Sequence, residues 1–304
     1  MPHLLCFGLG YTATALAARL AREGWTISAT STTPEGTARI AVLGYDAHLF
    51  DGAGYAPAPA LAAAIHAATH AVTSAPPIDA GDPVLIRCAA EIAASPNLRW
   101  FAYLSTIGVY GDHGGAWIDE TAPATPRSVR SQRRANAEAT WLGLGRATRK
   151  TALVFRIAGI YGPGRSAIDT VLNGTARRLI KPGQVFNRIH RDDIASMLAA
   201  AISSQPSHAI FNVCDDEPAP PQDVIAFAAT VLGRPVPPDV PYDPANLTPM
   251  AASFYSENKR CSNARAKSDL VWQPAFPTYR EGLSAIAATR QRDGRTTEFR
   301  DETR

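Results

Sequence analysis

HLLCFGLGYTATALAARL, residues 3–20, runs from a short apolar stretch through a glycine turn into a segment where Ala13, Leu16, Ala17 and Leu20 recur at helical spacing. It therefore predicts a strand, a tight turn and a helix with one face laid on a sheet, stopped by Gly24. Within it, GLGYTA has the form G-x-G-x-x-A. Gly8 permits the turn, and Gly10 lets the backbone approach a pyrophosphate with no Cβ in the way. Ala13 keeps the helix close to the strand. The amides that open the helix are then free to hold phosphate oxygens. A strand-to-helix turn with no ligand produces the same short motif, but its place between a strand and a helix favours a dinucleotide. Gly8, Gly10, Tyr11, Thr12 and Ala13 are thus candidate cofactor contacts.

Working outward, the first half of the chain alternates short apolar runs with Ala-rich amphipathic stretches. That is the sign of an α/β, Rossmann-type doubly wound parallel sheet. Strands are expected at 3–7, 25–30, 47–50, 70–74, 100–105 and 151–157, with crossover helices near 58–67, 81–94 and 128–146. After residue 158 the pattern loosens: a turn-rich IYGPGRSAID, a helix at 192–202, a strand at 209–213, a helix opened by Pro in PPQDVIAFAATVLG, and a Pro-rich run at 235–249 that reads as a loop. The expected organisation is a dinucleotide-binding domain over 1–157, its sheet completed by 189–213, and a smaller substrate lobe from 158–188 and 214–290. The polar residues 291–304 read as a frayed tail.

The 304 residues, 46% hydrophobic and 19% charged, are those of a globular chain long enough for two lobes. A net charge of +3, with 27 acidic residues among 30 basic ones, is too small to imply nucleic acid or an anionic membrane as partner by itself. Cys6, Cys88, Cys214 and Cys261 are far apart and form no C-x-x-C pair, so no metal site or disulfide framework is expected. No apolar run approaches the roughly 20 residues needed to span a bilayer, and a cytoplasmic location is the default expectation.

At the end of the second strand, an acidic residue would grip a ribose 2′-hydroxyl. The sequence there reads Thr30, Ser31, Thr32, Thr33, with no carboxylate before Glu35. Small hydroxyls without that negative charge favour NADP over NAD, although no Arg lies in the same turn and NAD stays open. Asp51, past the third strand, can accept from an adenine amine or be a solvated turn residue. Ser74 and Ala75 close the fourth strand and are expected beneath the cofactor, ahead of Pro76 and Pro77.

LSTIGVYGDHGGAWIDETAPATPRS (104–128) resembles the extended short-chain dehydrogenases/reductases, the nucleotide-sugar epimerase and dehydratase family. FRIAGIYGPGR (155–165), IHRDDIASMLAAAI (189–202), IFNVCDDEP (210–218) and SNARAKSDLVWQPAFPTYREGL (262–283) are similar to that family's later blocks, in the same order. The resemblance implies a Ser or Thr, a Tyr that exchanges a proton with the substrate, and a Lys four residues later that lowers the phenol's pKa. The Ser or Thr falls on Thr106. Aligned on Pro126, Ser128 and Glu138, the Tyr position is Arg130 and the Lys position is Arg134. No shift of register restores the pair, because no Tyr lies between Tyr110 and Tyr161 and the only Lys there is Lys150. Arg cannot give or take a proton near pH 7.

Tyr110, Tyr161 and His190 are the remaining proton-donor candidates, each with a structural alternative: turn packing for the tyrosines, a helix start for the histidine. Arg165 and Arg188 are placed to grip an anionic substrate. The basic segment 127–150 reads as a solvated helix face rather than a nucleic-acid surface, with only Trp141 available for stacking. Two functions follow. One is an NAD(P)-binding oxidoreductase of the epimerase/dehydratase type, acting on a small carbonyl or sugar-like substrate with Arg130 and Arg134 in place of the usual pair. The other is a non-catalytic NAD(P)-binding redox sensor or scaffold. The sequence leaves the oligomeric state open, a homodimer included.

Overall fold

The computed structural model describes residues 1–301 apart from 53 and 55, and beyond Arg290 it describes the backbone and the side chain of Arg292. The last three residues of the expected frayed tail, 302–304, lie outside the described residues.

The strands in chain order are β1 (His3–Phe7), β2 (Thr26–Ser31), β3 (Asp46–Leu49), β4 (His70–Thr73), β5 (Trp100–Thr106), β6 (Trp117–Ile118), β7 (Thr151–Ile157), β8 (Gly159–Tyr161), β9 (Arg178–Ile180), β10 (Arg188–His190), β11 (Ile210–Val213), β12 (Asp239–Pro241) and β13 (Arg260–Cys261). Seven of them form one sheet in the order β11-β7-β5-β4-β1-β2-β3, and every pairing is parallel. The chain starts at β1, winds outward to β3, then returns to β4 on β1's other side. That reversal leaves a crevice above the carboxyl ends of β1 and β4, where open α/β sheets bind ligands.

The connecting helices are α1 (Tyr11–Arg22), α2 (Pro34–Val42), α3 (Pro59–Ala67), α4 (Pro83–Ala94), α5 (Val129–Thr148), α6 (Ala167–Leu172), α7 (Arg191–Ser203), α8 (Pro221–Val231), α9 (Pro249–Tyr255), α10 (Ala264–Asp269) and α11 (Tyr279–Asp301). Leu16 and Leu20 of α1, Ile40 of α2 and Met197 and Leu198 of α7 bury one face of the sheet. Leu61 and Ile65 of α3, Val84 and Ile92 of α4 and Trp141 of α5 bury the other. With both faces covered, the strands are nearly continuous apolar runs, which is why the sequence reveals them. A smaller core of Tyr161, Ile168, Val224, Tyr279, Leu283 and Ile286 holds the C-terminal lobe.

The structure departs from the sequence expectations where elements are short. The Pro-rich run contains β12, which pairs with β9, and a 3-10 turn at Pro244–Asn246. Its end becomes α9, where the Thr248 hydroxyl accepts from the Ala251 amide and Pro249 supplies a fixed φ. Strands of two or three residues have no periodicity to detect. They exist because a neighbouring strand supplies the partner. β10 forms a separate two-stranded pair with β8, while β11, within the expected 189–213, completes the main sheet. The polar C-terminal segment continues α11 to Asp301.

Candidate functional site

The glycine turn is braced from both sides. The Gly8 amide donates to Thr30 Oγ1 at 2.9 Å, and Ser74 Oγ donates to the Gly8 carbonyl at 2.9 Å. Gly8 has φ +86°, and a Cβ there would sit 3.0 Å from Ser74 Oγ. Gly10 differs: a Cβ on it meets nothing within 4 Å, because it faces open space. As the residue preceding α1 it has no side chain to cap the helix. The amides of the first turn, from Tyr11 to Ala13, are therefore left for an anion. Thr12 and Ala13 turn their side chains inward, at 7% and 1% exposure, so only their backbone can serve.

Beyond the turn lies a cavity of about 380 Å³ lined by Gly8 to Gly10, Thr14, Thr30 to Thr32, Gly36, Arg39, Ile40 and Leu43. Its apolar walls, Ile40 and Leu43, suit a flat base. Its far end has two small hydroxyls and a guanidinium. Thr33 is occupied as the cap of α2, its Oγ1 accepting from the Gly36 amide at 3.1 Å, and Ser31 Oγ accepts from the Thr33 amide at 3.3 Å. Thr32 and Arg39 remain to meet an anion. Arg39 was not among the sequence candidates, since it stands two turns after Thr32. A long side chain on a helix leans back toward the N-terminus, and that brings it to the pocket. Asp51 is exposed just past β3 and does not line this cavity. Ser74 and Ala75 are half-buried beside the turn. The cradle that a Cβ at Gly8 would crowd, the open face of Gly10 and the lining of the cavity fit the adenosine and phosphate half of a nicotinamide dinucleotide.

Tyr11 links this turn to the later half of the chain. Its hydroxyl donates to the Pro163 carbonyl at 3.0 Å. The Arg191 guanidinium lies 4.7 Å from its ring centre and that of Arg165 5.9 Å. Arg165 is thus placed near the phosphate turn.

At the end of β5, Thr106 Oγ1 accepts from the Gly108 amide at 3.1 Å and caps the 3-10 turn Ile107–Tyr110. A Cβ on Gly108 would lie 2.9 Å from Ser131 Oγ, so the start of α5 comes close to Thr106. Arg134 Nη1 donates to the Leu104 carbonyl at 2.9 Å and to Tyr103 Oη at 3.1 Å. Arg130, one helical turn earlier, lies over the Phe254 ring of α9, 5.1 Å from its centre. Lys150 is at the opposite end of the sheet, ahead of β7, where its ammonium holds the carbonyls of Ser95 and Leu98 at 2.7 Å.

The other proton-donor candidates are tied into the fold. Tyr110 is fully buried and donates to Asn212 Oδ1 at 2.7 Å, and burial pushes its phenol pKa up. It lies under the Arg156 guanidinium, which binds Glu138 with Nη2 at 2.7 Å from Oε2. Ser105 donates to the same carboxylate, and the Asn212 backbone amide donates to Glu120 Oε1 at 2.7 Å. Tyr161 is buried against Gly282 and donates to the Thr278 carbonyl at 3.4 Å, and burial raises its pKa as well. His190 caps α7, its Nδ1 accepting from the Asp192 amide at 3.2 Å, and burial lowers its pKa. Arg188 spends Nη1 on the carbonyls of Phe186 and Ala219.

No family model matches the chain. It is similar to a conserved protein of unknown function from Silicibacter pomeroyi, with 47% identity over 95% of this chain and 99% of that one and a TM-score of 0.85. A structure described as a putative NAD-dependent epimerase/dehydratase from Methylobacillus flagellatus aligns over 95% of this chain and 98% of its own. At 24% identity and a TM-score of 0.72 it shows the fold. A curated Streptomyces protein, a 3-diazoavenalumate denitrifying reductase, is 29% identical over 215 residues, 64% of this chain and 66% of its own length, just under two thirds. Among the described residues, no helix is long and apolar enough to cross a membrane.

Proposed function

This chain belongs to one family with the conserved Silicibacter pomeroyi protein and has the fold of the NAD-dependent epimerases and dehydratases, and on that premise we propose that it is an NADP(H)-dependent reductase of a small organic acceptor. The observation that carries this reading is the cavity that opens on Gly10 and ends between Thr32 and Arg39. The first-turn amides of α1, from Tyr11 to Ala13, hold the pyrophosphate. Thr32 and Arg39 take the 2′-phosphate, with Ser31 and Thr33 shaping the turn that presents it. Asp51, outside the cavity lining, meets only the outer amine edge of the adenine, and Ser74 and Ala75 form the floor. The bound dinucleotide supplies a hydride.

The protein side of the chemistry differs from that of an epimerase. Oxidising an alcohol needs a base, and neither Arg130 nor Arg134 is one. Reduction needs only an acceptor that tolerates the absence of a strong acid. A relative 29% identical to this chain is named a denitrifying reductase, which supports reduction over epimerisation. Arg134 supplies fixed positive potential at the end of β5, and Thr106 a hydroxyl beside it.

Thermal-shift titration tests the reading directly: NADPH stabilises the protein at lower concentration than NADH, by linkage to the folded state. Absence of any shift with either dinucleotide at millimolar concentration overturns it. Binding without NADPH oxidation against a panel of carbonyl, conjugated and diazo acceptors points instead to a redox sensor or scaffold.

A further inference from the structure

Four arginines gather at the start of α5, and three of them have fixed tasks. Arg127 pairs with Asp112 at 3.4 Å, Arg133 pairs with Asp79, and Arg134 is anchored to Leu104 and Tyr103. Among the described residues, no carboxylate pairs with Arg130. Its guanidinium lies instead on the ring of Phe254, which is 49% exposed, with Val129 and Met250 also exposed close by in sequence. Residues one turn apart share a helix face. That face joins two neighbours, with Arg134 reaching Leu104 near the end of β5 and Arg130 reaching Phe254 of α9.

A hydride adds a negative charge to its acceptor. The phenols of Tyr110 and Tyr161 and the imidazole of His190 are buried and bonded elsewhere, and Tyr103 Oη receives Arg134. With these groups committed, the charge on the acceptor is held rather than neutralised as it forms. A guanidinium does that well and a flat partner suits it, because the group is planar and stacks on π-systems.

We propose that Arg130, laid on Phe254, is an oxyanion clamp, and that the acceptor is a planar molecule whose reacting carbon is conjugated to a carbonyl. The inference rests on the reductase reading above. The hydride of a reduced nicotinamide forms a C–H bond at the conjugated carbon. The displaced π-electron pair moves to the carbonyl oxygen, and the resulting delocalised oxyanion takes a proton from water after leaving the guanidinium. A saturated ketone would leave a localised, strongly basic alkoxide, which needs an acid in the transition state.

The test uses the full chain saturated with NADP+ and 4-cyanophenol as a stand-in for the oxyanion, its ionisation followed by ultraviolet absorbance. The apparent pKa of the bound phenol is expected to fall by about one unit or more, a tenfold effect, as a nearby opposite charge requires. Arg130→Gln abolishes the fall, while Phe254→Leu weakens binding of the probe and keeps the fall. In turnover, 2-cyclohexenone is expected to oxidise NADPH faster than cyclohexanone, and Arg130→Gln to slow the enone roughly 100-fold, the scale of one lost oxyanion donor. An unshifted or unbound phenol, a shift retained in Arg130→Gln, or equal rates for the two ketones overturns the clamp. Loss of the NADP(H) thermal shift overturns the reductase reading instead, so the two failures are distinguishable.

Discussion

Glu138 of α5 accepts both arms of Arg156 from β7 in the protein interior, the two side chains being 5% and 7% exposed. Taking two charges out of water costs several kcal/mol each, and only the mutual contact and the added bonds from Ser105 and Tyr110's ring offset it. Replacing Glu138 alone strands a buried guanidinium. Glu138→Ala is expected to lower unfolding free energy by about 3–5 kcal/mol in urea denaturation. Glu138→Leu combined with Arg156→Met should be less harmful than either single change, because no charge is left unpaired.

On the proposed NADP(H) reading, Arg39 is the residue expected to distinguish the two dinucleotides. Arg39→Ala removes the guanidinium at the cavity end and is expected to raise the Kd for NADPH about tenfold, roughly 1.4 kcal/mol. NADH, which lacks the phosphate, should bind as before. Isothermal titration of both ligands against both proteins decides the point, and an equal loss for NADH assigns Arg39 to the shape of the pocket instead.

Stability should fall at both ends of the pH range for opposite reasons. His70 is 4% exposed, its ring centre 4.9 Å from that of Trp25 and 5.7 Å from that of Trp100, and burial depresses its pKa to about 4. The unfolded chain binds that proton first, so the stabilisation present above about pH 6.5 is lost as pH falls toward 4, by about 2–3 kcal/mol. Asp215 is the reverse case. Burial raises its carboxyl to about 8, and among the described residues Oδ2 has no hydrogen-bond partner. Its contribution is full below about pH 4 and disappears as pH rises through 8. Urea midpoints between about pH 4 and 9 should lose the acid slope in His70→Gln and the alkaline slope in Asp215→Asn.

Tyr161 and Gly282 meet too closely for any side chain: a Cβ on Gly282 would lie 2.1 Å from the phenol oxygen. The clash is with a buried ring held by Thr278, so it cannot simply swing away. Gly282→Ala should cost about 1–3 kcal/mol by overpacking, read as a lowered thermal midpoint. An unchanged midpoint would mean that α11 shifts freely over Tyr161.

The parts legible in the sequence were those with a repeating pattern or a motif of fixed spacing. The long strands revealed themselves because both faces are buried, and Gly8 and Gly10 because a strand precedes them and a helix follows. Arg39 was hidden because its relation to Thr32 runs through the geometry of α2 rather than adjacent positions. The partnership of Arg130 with Phe254 joins residues 124 positions apart, and nothing local in either segment announces it. Tyr110 shows the opposite limit. Its V-Y-G setting makes it a plausible proton donor until its hydroxyl is seen facing Asn212, 102 positions away.

The buried chain from Glu138 through Arg156 and Tyr110 to Asn212 and Glu120 draws on α5, β7, the 3-10 turn at Ile107–Tyr110, β11 and the turn after β6. Each member satisfies a group that another exposes, so a change at one position alters what is tolerable at the next. In evolutionary terms the five behave as one inherited unit. They should persist together where the rim of the pocket drifts, and where one is replaced its neighbours should be found replaced with it. Such linked turnover would leave exposed residues outside the unit, Arg130 and Phe254 among them, free to change without disturbing the frame behind them.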